Sequence, residues 1–320
     1  MALLIRNKAQ RAFLIAGVIG LLGTPFVRAG DTILLLKSRD LAQYNAAAKG
    51  FREAWKTSPS SLEVRELNLN GPPGDPNTLR APPTERPLAI ITIGTEATYW
   101  AITNSTAPVV FCMVANAQQS VMADLNSRDK PRVHGVSLDI PARTQLRRML
   151  GVLPNVKRVG VLNDPKKSAV AVGEMKRAAA ELGLEVVSQE VDDQSSLPEA
   201  IALIVSRIDL LWAPVDSTVF NSRNAQFVLT QMLEHKVPVM GFSENMVKAG
   251  ALLAPRVSYE EIGRQTAALL QTSLHPDGQQ HERIEPPRNF QIVVNGRVLE
   301  LLGNPISPAA IQQVSVINNE

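Results

Sequence analysis

Six short segments of the 320-residue chain set hydroxyl, carboxylate, amide and guanidinium groups directly after apolar runs. They are Ser38-Arg39-Asp40, Gly94-Thr95-Glu96, Ala115-Asn116, Asn163-Asp164-Pro165 with Ser168, Val215-Asp216-Ser217-Thr218, and Ser243-Glu244-Asn245. Such groups donate and accept hydrogen bonds and carry charge, which is the chemistry of holding a small polar molecule. In doubly wound α/β sheets, ligands bind beyond the carboxyl ends of the strands, where loops and helix N-termini converge. Ser, Thr, Asp and Asn are also the preferred N-caps, so for any single residue the start of a helix is the simpler reading. Taken together, six polar loops facing one cleft make a small-molecule site, with Ser38, Asp40, Thr95, Glu96, Asn116, Asn163, Ser168, Asp216, Ser217, Thr218 and Glu244 as candidate ligand contacts.

Catalytic constellations are missing. There is no G-x-S-x-G elbow, no phosphate-binding P-loop and no G-x-G-x-x-G fingerprint. His134, His235, His275 and His281 stand far apart, and no Cys–His spacing suits a metal. The acid pairs Asp192-Asp193 and Glu260-Glu261 are adjacent in sequence and do not converge as an acid–base couple must. The reading is therefore of a binding protein with no catalysis, cofactor or metal.

The elements that must position these loops alternate regularly. Apolar runs at 33–36, 88–93, 109–114, 159–162, 186–187, 210–213, 237–240 and 251–254 read as buried strands, with helical stretches between many of them. After the first run, Leu41, Tyr44, Ala48, Phe51 and Trp55 recur at three- and four-residue spacing and give a helix one apolar stripe. This rhythm predicts an α/β fold of mostly parallel sheet covered by helices on both faces. Residues 133–138 read as a crossover, because a second strand–helix series restarts after them with Leu146, Met149, Leu150 and Leu153. Pro-rich segments at 71–76 and 81–83 and the polar stretch 275–287 read as surface loops. Asn295-Gly296 suits a hairpin turn, and residues 307–320 suit either a docked helix or a frayed end.

Composition bounds the partners. With 45% hydrophobic residues the chain can build a large core, and with 14 aromatic residues it lacks an aromatic platform for nucleic acid. The net charge of +3 belongs to the first 29 residues, where Arg6, Lys8, Arg11 and Arg28 stand without an acid. The remaining chain has 29 basic against 30 acidic side chains, leaving no concentrated basic surface for phosphates. The start also carries an apolar run at 12–22, then Gly23, Pro25 and Val27-Arg28-Ala29. That order reads as a cleavable signal peptide cut before Gly30, since the run is short of the ~20 residues that span a bilayer. No Cys adjoins the cut, so no lipid anchor is expected. Cys112 is the single cysteine and lies in an apolar run, so it reads as a buried, inert thiol in a periplasmic protein without disulfides.

Several segments in order resemble a known family. They are Pro108-Val109-Val110-Phe111, Val136-Ser137-Leu138-Asp139 with Gln145-Leu146, and the run 153–165, then Ala213-Pro214-Val215-Asp216-Ser217-Thr218-Val219, residues 247–253, and 259–263 followed by Arg264-Gln265-Thr266. The chain is similar over nearly its whole mature length to ABC transporter substrate-binding proteins of the type I periplasmic binding fold, in particular the tryptophan/tyrosine-type subfamily. The resemblance implies two Rossmann-like lobes joined by a three-crossover hinge: lobe 1 from 31–135 and 256–300, lobe 2 from 136–255, and a tail at 301–320. It implies hinge passages near 133–136, 254–256 and 287–290, and a monomer that delivers a small molecule such as an amino acid to an inner-membrane ABC permease. A ligand-sensing module presenting its solute to a membrane receptor shares the same features. For an amino acid, the resemblance implies Asp216 or Glu244 as partner of the ammonium and the hydroxyls of Thr95, Ser137 and Ser217 as partners of the carboxylate. It also implies a helix start at Gly296 instead of a hairpin. The chain departs from the family pattern at Gly94-Thr95-Glu96, where a carboxylate stands at the cleft, at Lys37-Ser38-Arg39-Asp40, which offers a guanidinium, and in its Pro-rich insert.

Overall fold

A computed structural model describes residues 32–58, 62–71, 75–80, 86–274, 284–303 and 305–318. The predicted leader, His275, His281 and most of the Pro-rich loop lie outside the described residues. Two sheets form. The first is built from β1 (Thr32–Arg39), β2 (Glu63–Asn70), β3 (Ala89–Ile93), β4 (Val109–Val114), β5 (Val133–Ser137) and a short β11 (Ile284–Glu285), in spatial order β11-β5-β4-β3-β1-β2 and parallel throughout. The second has the order β13-β12-β10-β9-β8-β6-β7. Its strands are β6 (Arg158–Asn163), β7 (Glu185–Glu190), β8 (Leu210–Trp212), β9 (Val239–Met240), β10 (Leu253–Val257), β12 (Phe290–Asn295) and β13 (Ser315–Ile317). Only the β10–β12 pair is antiparallel.

Strands buried on both sides need helices on both faces. On the first sheet, α1 (Ala42–Lys56) and α8 (Tyr259–Leu274) cover one face, and α2 (Thr95–Asn104) the other. On the second, α3 (Ala142–Val152), α4 (Pro165–Glu181), α9 (Gly296–Leu301) and α10 (Pro308–Ile311) cover one face. The opposite face carries α5 (Leu197–Ile204), α6 (Asn224–Glu234) and, near its edge, α7 (Glu244–Ala249). Central strands accordingly read as continuous apolar runs: every residue of β3 and β4 is buried. No helix among the described residues is long and apolar enough to cross a membrane.

The α1–α8 contact joins segments more than 200 residues apart. Gly50 and Gly263 let the two backbones touch: a Cβ on Gly263 would lie 2.0 Å from the Ala47 carbonyl oxygen, and one on Gly50 2.0 Å from that of Glu260. Phe51 and Trp55, stacked at 5.9 Å between ring centroids, extend the buried stripe of α1. Outside it, Lys49 pairs with Glu260 at 2.8 Å and Arg264 with Glu53 at 3.3 Å, exposed ion pairs that add little.

The lobe boundaries differ from the expectation in three places. Residues 133–137 are a full strand of the first sheet, so the chain leaves that lobe after Ser137. Strand β12, expected in lobe 1, pairs with β10 in the second sheet. The expected tail is an ordered part of the second lobe: α10 docks on one face of its sheet and β13 pairs with β12. Gly296 begins a helix, with the Asn295 side chain accepting from the Val298 amide at 3.0 Å. The lobes thus comprise 32–137 with 259–285, and 142–257 with 290–317.

Two glycine substitutions test the packing. Gly263→Ala drives a methyl into fixed backbone and is expected to destabilise the fold by about 1–3 kcal/mol. Gly173→Ala, on α4 where the nearest atom to the new Cβ is Arg177 at 3.8 Å, is expected to stabilise it by about 0.5–1 kcal/mol. Equilibrium denaturation of the two variants reads both signs.

Candidate functional site

In each sheet the chain runs outward in both directions from a central pair, β3–β1 in the first and β8–β6 in the second. That reversal leaves a crevice beyond the carboxyl ends of the pair, the usual ligand position in open α/β sheets. The two carboxyl edges face each other across a cleft of about 890 Å3. It is lined by Asn116 and Ser137–Asp139 from the ends of β4 and β5, by Trp212–Val215 and Phe242 from the ends of β8 and β9, and by the first turns of α3 and α4. Pro255, Ile284 and Pro286, from the strands that connect the lobes, form part of the wall.

On the second lobe the polar loops are closed upon themselves. Asp216 is 2% exposed. Its Oδ1 accepts from the amides of Thr218 (2.9 Å) and Val219 (3.2 Å), and its Oδ2 from the amide of Asp164 (2.8 Å) and the Ser168 hydroxyl (2.6 Å). Asp164 caps α4 by accepting from the Lys166 amide at 2.9 Å and takes a bond from the Thr218 hydroxyl at 2.8 Å. Thr218 and then the Lys166 amide hold the Asp164 carboxyl below the usual carboxylate range. This lattice staples the loops after β6 and β8 together. With both oxygens filled by the chain's own donors, Asp216 is a structural residue, not the expected ammonium partner. Glu244 is also engaged, by Lys248 at 2.8 Å and Arg256 at 3.3 Å, and those two cations lower its pKa.

On the first lobe, β4 is interrupted by a bulge between Cys112 and Val114, with Met113 at φ 59°. The bulge turns the strand end so that Asn116, at φ 51°, and Ala117 present their amides to Asp139 at 2.9 and 3.2 Å. The Ser137 hydroxyl donates to the same carboxylate at 2.5 Å. At the β1–β3 crevice, Gly94 takes φ 94°, a conformation that L side chains rarely adopt. A Cβ there would lie 2.7 Å from both the Ser38 hydroxyl and the Tyr44 phenol oxygen. Buried Ser38 accepts from the Ala97 amide at 2.9 Å, fastening the start of α2 to the loop after β1. Beside it, Arg39 meets Glu96 at 2.5 Å, and Asn70 donates to the other oxygen of Glu96 at 2.6 Å. Exposed Asp40 accepts from the Asn45 amide at 2.7 Å, and the buried Lys37 is held by Asn45 at 2.6 Å and Glu66 at 2.8 Å.

Of the candidate contacts, Asn116, Ser137 and Ser168 line the 890 Å3 cavity. Ser38, Asp40, Thr95 and Glu96 cluster at the β1–β3 crevice on the same sheet edge. Asn163, Ser217 and Thr218 stand at the β6–β8 crevice, where Asn163 is buried and Ser217 exposed. Glu244 lies apart, on α7. Trp212, Phe242 and Gln145 also line the cavity although no motif marks them. The indole of Trp212 donates to Gln145 at 3.4 Å. Trp212 ends an apolar run, and its place at a carboxyl end is the signal that would have marked it. Among the described residues no group of three or more His, Cys, Asp and Glu could hold a metal ion. Cys112 is buried, and burial pushes its thiol up to about 12, so it is inert.

Two clamps, one buried at Gln265 and one half-exposed at Arg256, define the passages between the lobes. Gln265 on α8 donates to Glu285 at 2.8 Å and to the Pro286 carbonyl at 2.9 Å, and accepts from the Arg288 amide at 3.1 Å. Arg256 donates to Gln291 at 2.7 Å and Ser315 at 3.3 Å. The former pins one crossover to the first lobe, and the latter pins another to the second.

A family model described as ABC transporter substrate binding protein matches residues 46–311. A tyrosine-binding protein of Clostridioides difficile (strain R20291) is 26% identical over 185 residues, covering 57% of this chain and 52% of the relative. The match thus spans about half the length of that curated relative. A ligand-free, open substrate-binding protein with adhesive properties from Clostridium difficile superposes with a TM-score of 0.69 at 20% identity, over 90% of this chain and 99% of the other. A domain in complex with L-Trp from Streptococcus pneumonia gives 0.55 at 20% identity, over 90% and 100%. These likenesses are of fold, the type I periplasmic binding architecture.

The lattice on the second lobe predicts two outcomes. Asp216→Ala strands buried donors, each worth about 1–3 kcal/mol, and is expected to lower the melting temperature with no ligand present. A carboxyl whose folded pKa lies below its unfolded value of about 3.9 stabilises the fold above that value, and the contribution is lost as pH falls through the folded pKa. Denaturation across a pH series should therefore give an acid limb below about pH 4 that is shallower in Asp164→Asn than in the parent protein. Equal slopes would rule the lock out.

Proposed function

Because this chain belongs to the ABC transporter substrate-binding protein family, we propose that it captures an amino acid in the cleft between its lobes and hands it to an ABC permease. The observation that carries this reading is the meeting of the two carboxyl edges across one cavity. That cavity pairs an aromatic wall, Trp212 and Phe242, with polar groups at Asn116, Ser137, Gln145 and Ser168. An apolar pocket with a few fixed polar groups suits a small organic ligand with a hydrophobic side chain. The tyrosine-binding relative and the structural neighbour holding L-Trp support an aromatic amino acid.

Ligand capture works by closure. A solute touching both lobes favours the closed arrangement only through its greater affinity for that state, and the permease reads the state. The clamps at Gln265 and Arg256 keep each crossover fixed to one lobe, so bending falls on the short segments between them. Substrate-binding proteins of ABC transporters act outside the inner membrane. The reading of residues 1–29 as a signal peptide agrees with export to the periplasm, where the protein would work as a monomer.

Thermal shift and calorimetry against amino acids, sugars and small organic acids test the proposal. An amino acid at 100 times its dissociation constant is expected to add about 2.7 kcal/mol to the folded state, with aromatic side chains preferred. Binding of a sugar with no response to any amino acid would overturn it.

A further inference from the structure

We infer that Asn70-Gly71, where edge strand β2 ends, is a site of spontaneous covalent modification, at which the Asn70 amide converts to aspartate and isoaspartate in the folded protein. The inference is independent of which solute the cleft takes. The reaction needs an asparagine whose side-chain carbonyl carbon can be reached by the backbone nitrogen of the next residue. Glycine in that next place leaves the nitrogen unhindered and the backbone free to turn, because it has no Cβ. The Gly71 nitrogen gives up its proton to solvent and bonds to Cγ of Asn70, and the bond from Cγ to the side-chain nitrogen breaks with release of ammonia. Water then opens the five-membered imide at either carbonyl, giving aspartate or isoaspartate. The net change is one water consumed and one ammonia released, with no oxidant or other reactant.

The chain has two Asn-Gly pairs, and the fold treats them oppositely. Asn295 is 2% exposed and caps α9. Its Nδ2 donates to the Val247 carbonyl at 2.7 Å and its Oδ1 accepts from the Val298 amide at 3.0 Å, so both ends of the side chain are held away from attack. Asn70 is exposed and donates to the solvated Glu96 carboxylate at 2.6 Å, which leaves its Oδ1 without a donor among the described residues. Among the same residues the Gly71 amide donates to no carbonyl. Packing explains why glycine stands here, since a Cβ on Gly71 would lie 2.2 Å from the Thr78 hydroxyl oxygen. Thr78 is held by a short ladder along the outer edge of β2, in which the Asn68 amide donates to Asn77 and the Leu79 amide to Asn68, both at 2.7 Å. The contact that covers this sheet edge therefore requires the very residue that makes Asn70 labile. Conversion replaces a donor to Glu96 by a carboxylate that is ionised at neutral pH and repels it. Isoaspartate also lengthens the backbone by one methylene just before the Thr78 contact.

The test is to age the purified protein at mildly alkaline pH, which favours loss of the Gly71 proton, and to follow both pairs by peptide mass spectrometry and ion exchange. In the folded protein Asn70 is expected to convert about tenfold faster than Asn295, or more, because Asn295 reacts only when its surroundings open. In denaturant the difference should vanish, which separates protection by the fold from the chemistry of the neighbouring sequence. N70Q keeps an amide beside Glu96 but forms the imide far more slowly, and it should remove the more acidic isoform that the parent protein accumulates. Equal rates at the two pairs in the folded protein overturn the inference. So does an Asn70 that survives in the folded protein while the denatured chain reacts, or an acidic isoform that forms in N70Q at the parental rate.

Discussion

Two parallel strands can be joined only by a connection that carries the chain back to the edge from which it started. Every βα unit of this protein obeys that constraint, so the carboxyl ends of β1 to β5 gather on one edge, and those of β6 to β10 on another. Polar loops and helix starts must then collect at the same two edges. Because the first strand of each sheet lies inside it, the chain reverses direction beside that strand and leaves a crevice there. The cleft thus follows from strand order before any side chain is considered, and side chains decide only what it holds.

The two edges spend their polar groups differently. On the second lobe, hydroxyls, amides and carboxylates satisfy one another, as buried polar groups must, and Asp216 acts as the centre of a staple between loops. On the first, Ser38 is consumed in the same way, but Arg39 and Glu96 remain exposed and face outward. Near-identical sequence patterns, an Asp or Glu beside Ser and Thr after a strand, therefore serve opposite ends. Burial separates the two cases, and it depends on packing from elements distant in the chain.

For this reason the sequence revealed architecture more readily than site. The apolar runs of β1, β3, β4 and β6 are continuous because both faces are covered, and such runs stand out. Strand β2 does not, since Glu63, Arg65, Glu66, Asn68 and Asn70 interrupt its apolar residues on an edge strand. The assignment of β12 to the second sheet depends on an antiparallel pairing with β10 that no local pattern encodes. Trp212 was legible as a strand residue, while its role as cleft wall required knowing where that strand stops. Asp216 illustrates the remaining difficulty: a loop carboxylate that caps and one that binds are written identically, and only the count of donors around it distinguishes them.

The glycine-mediated contact of α1 with α8 also bears on the order in which the molecule assembles. One side of the first sheet is covered by a helix that begins at Tyr259, so that core stays open until most of the polypeptide is present. Closing so long a loop carries an entropic cost that local contacts cannot offset early. During synthesis, the first lobe would emerge as an incomplete sheet with an apolar face uncovered. Such a chain depends on chaperones or on speed until its eighth helix arrives.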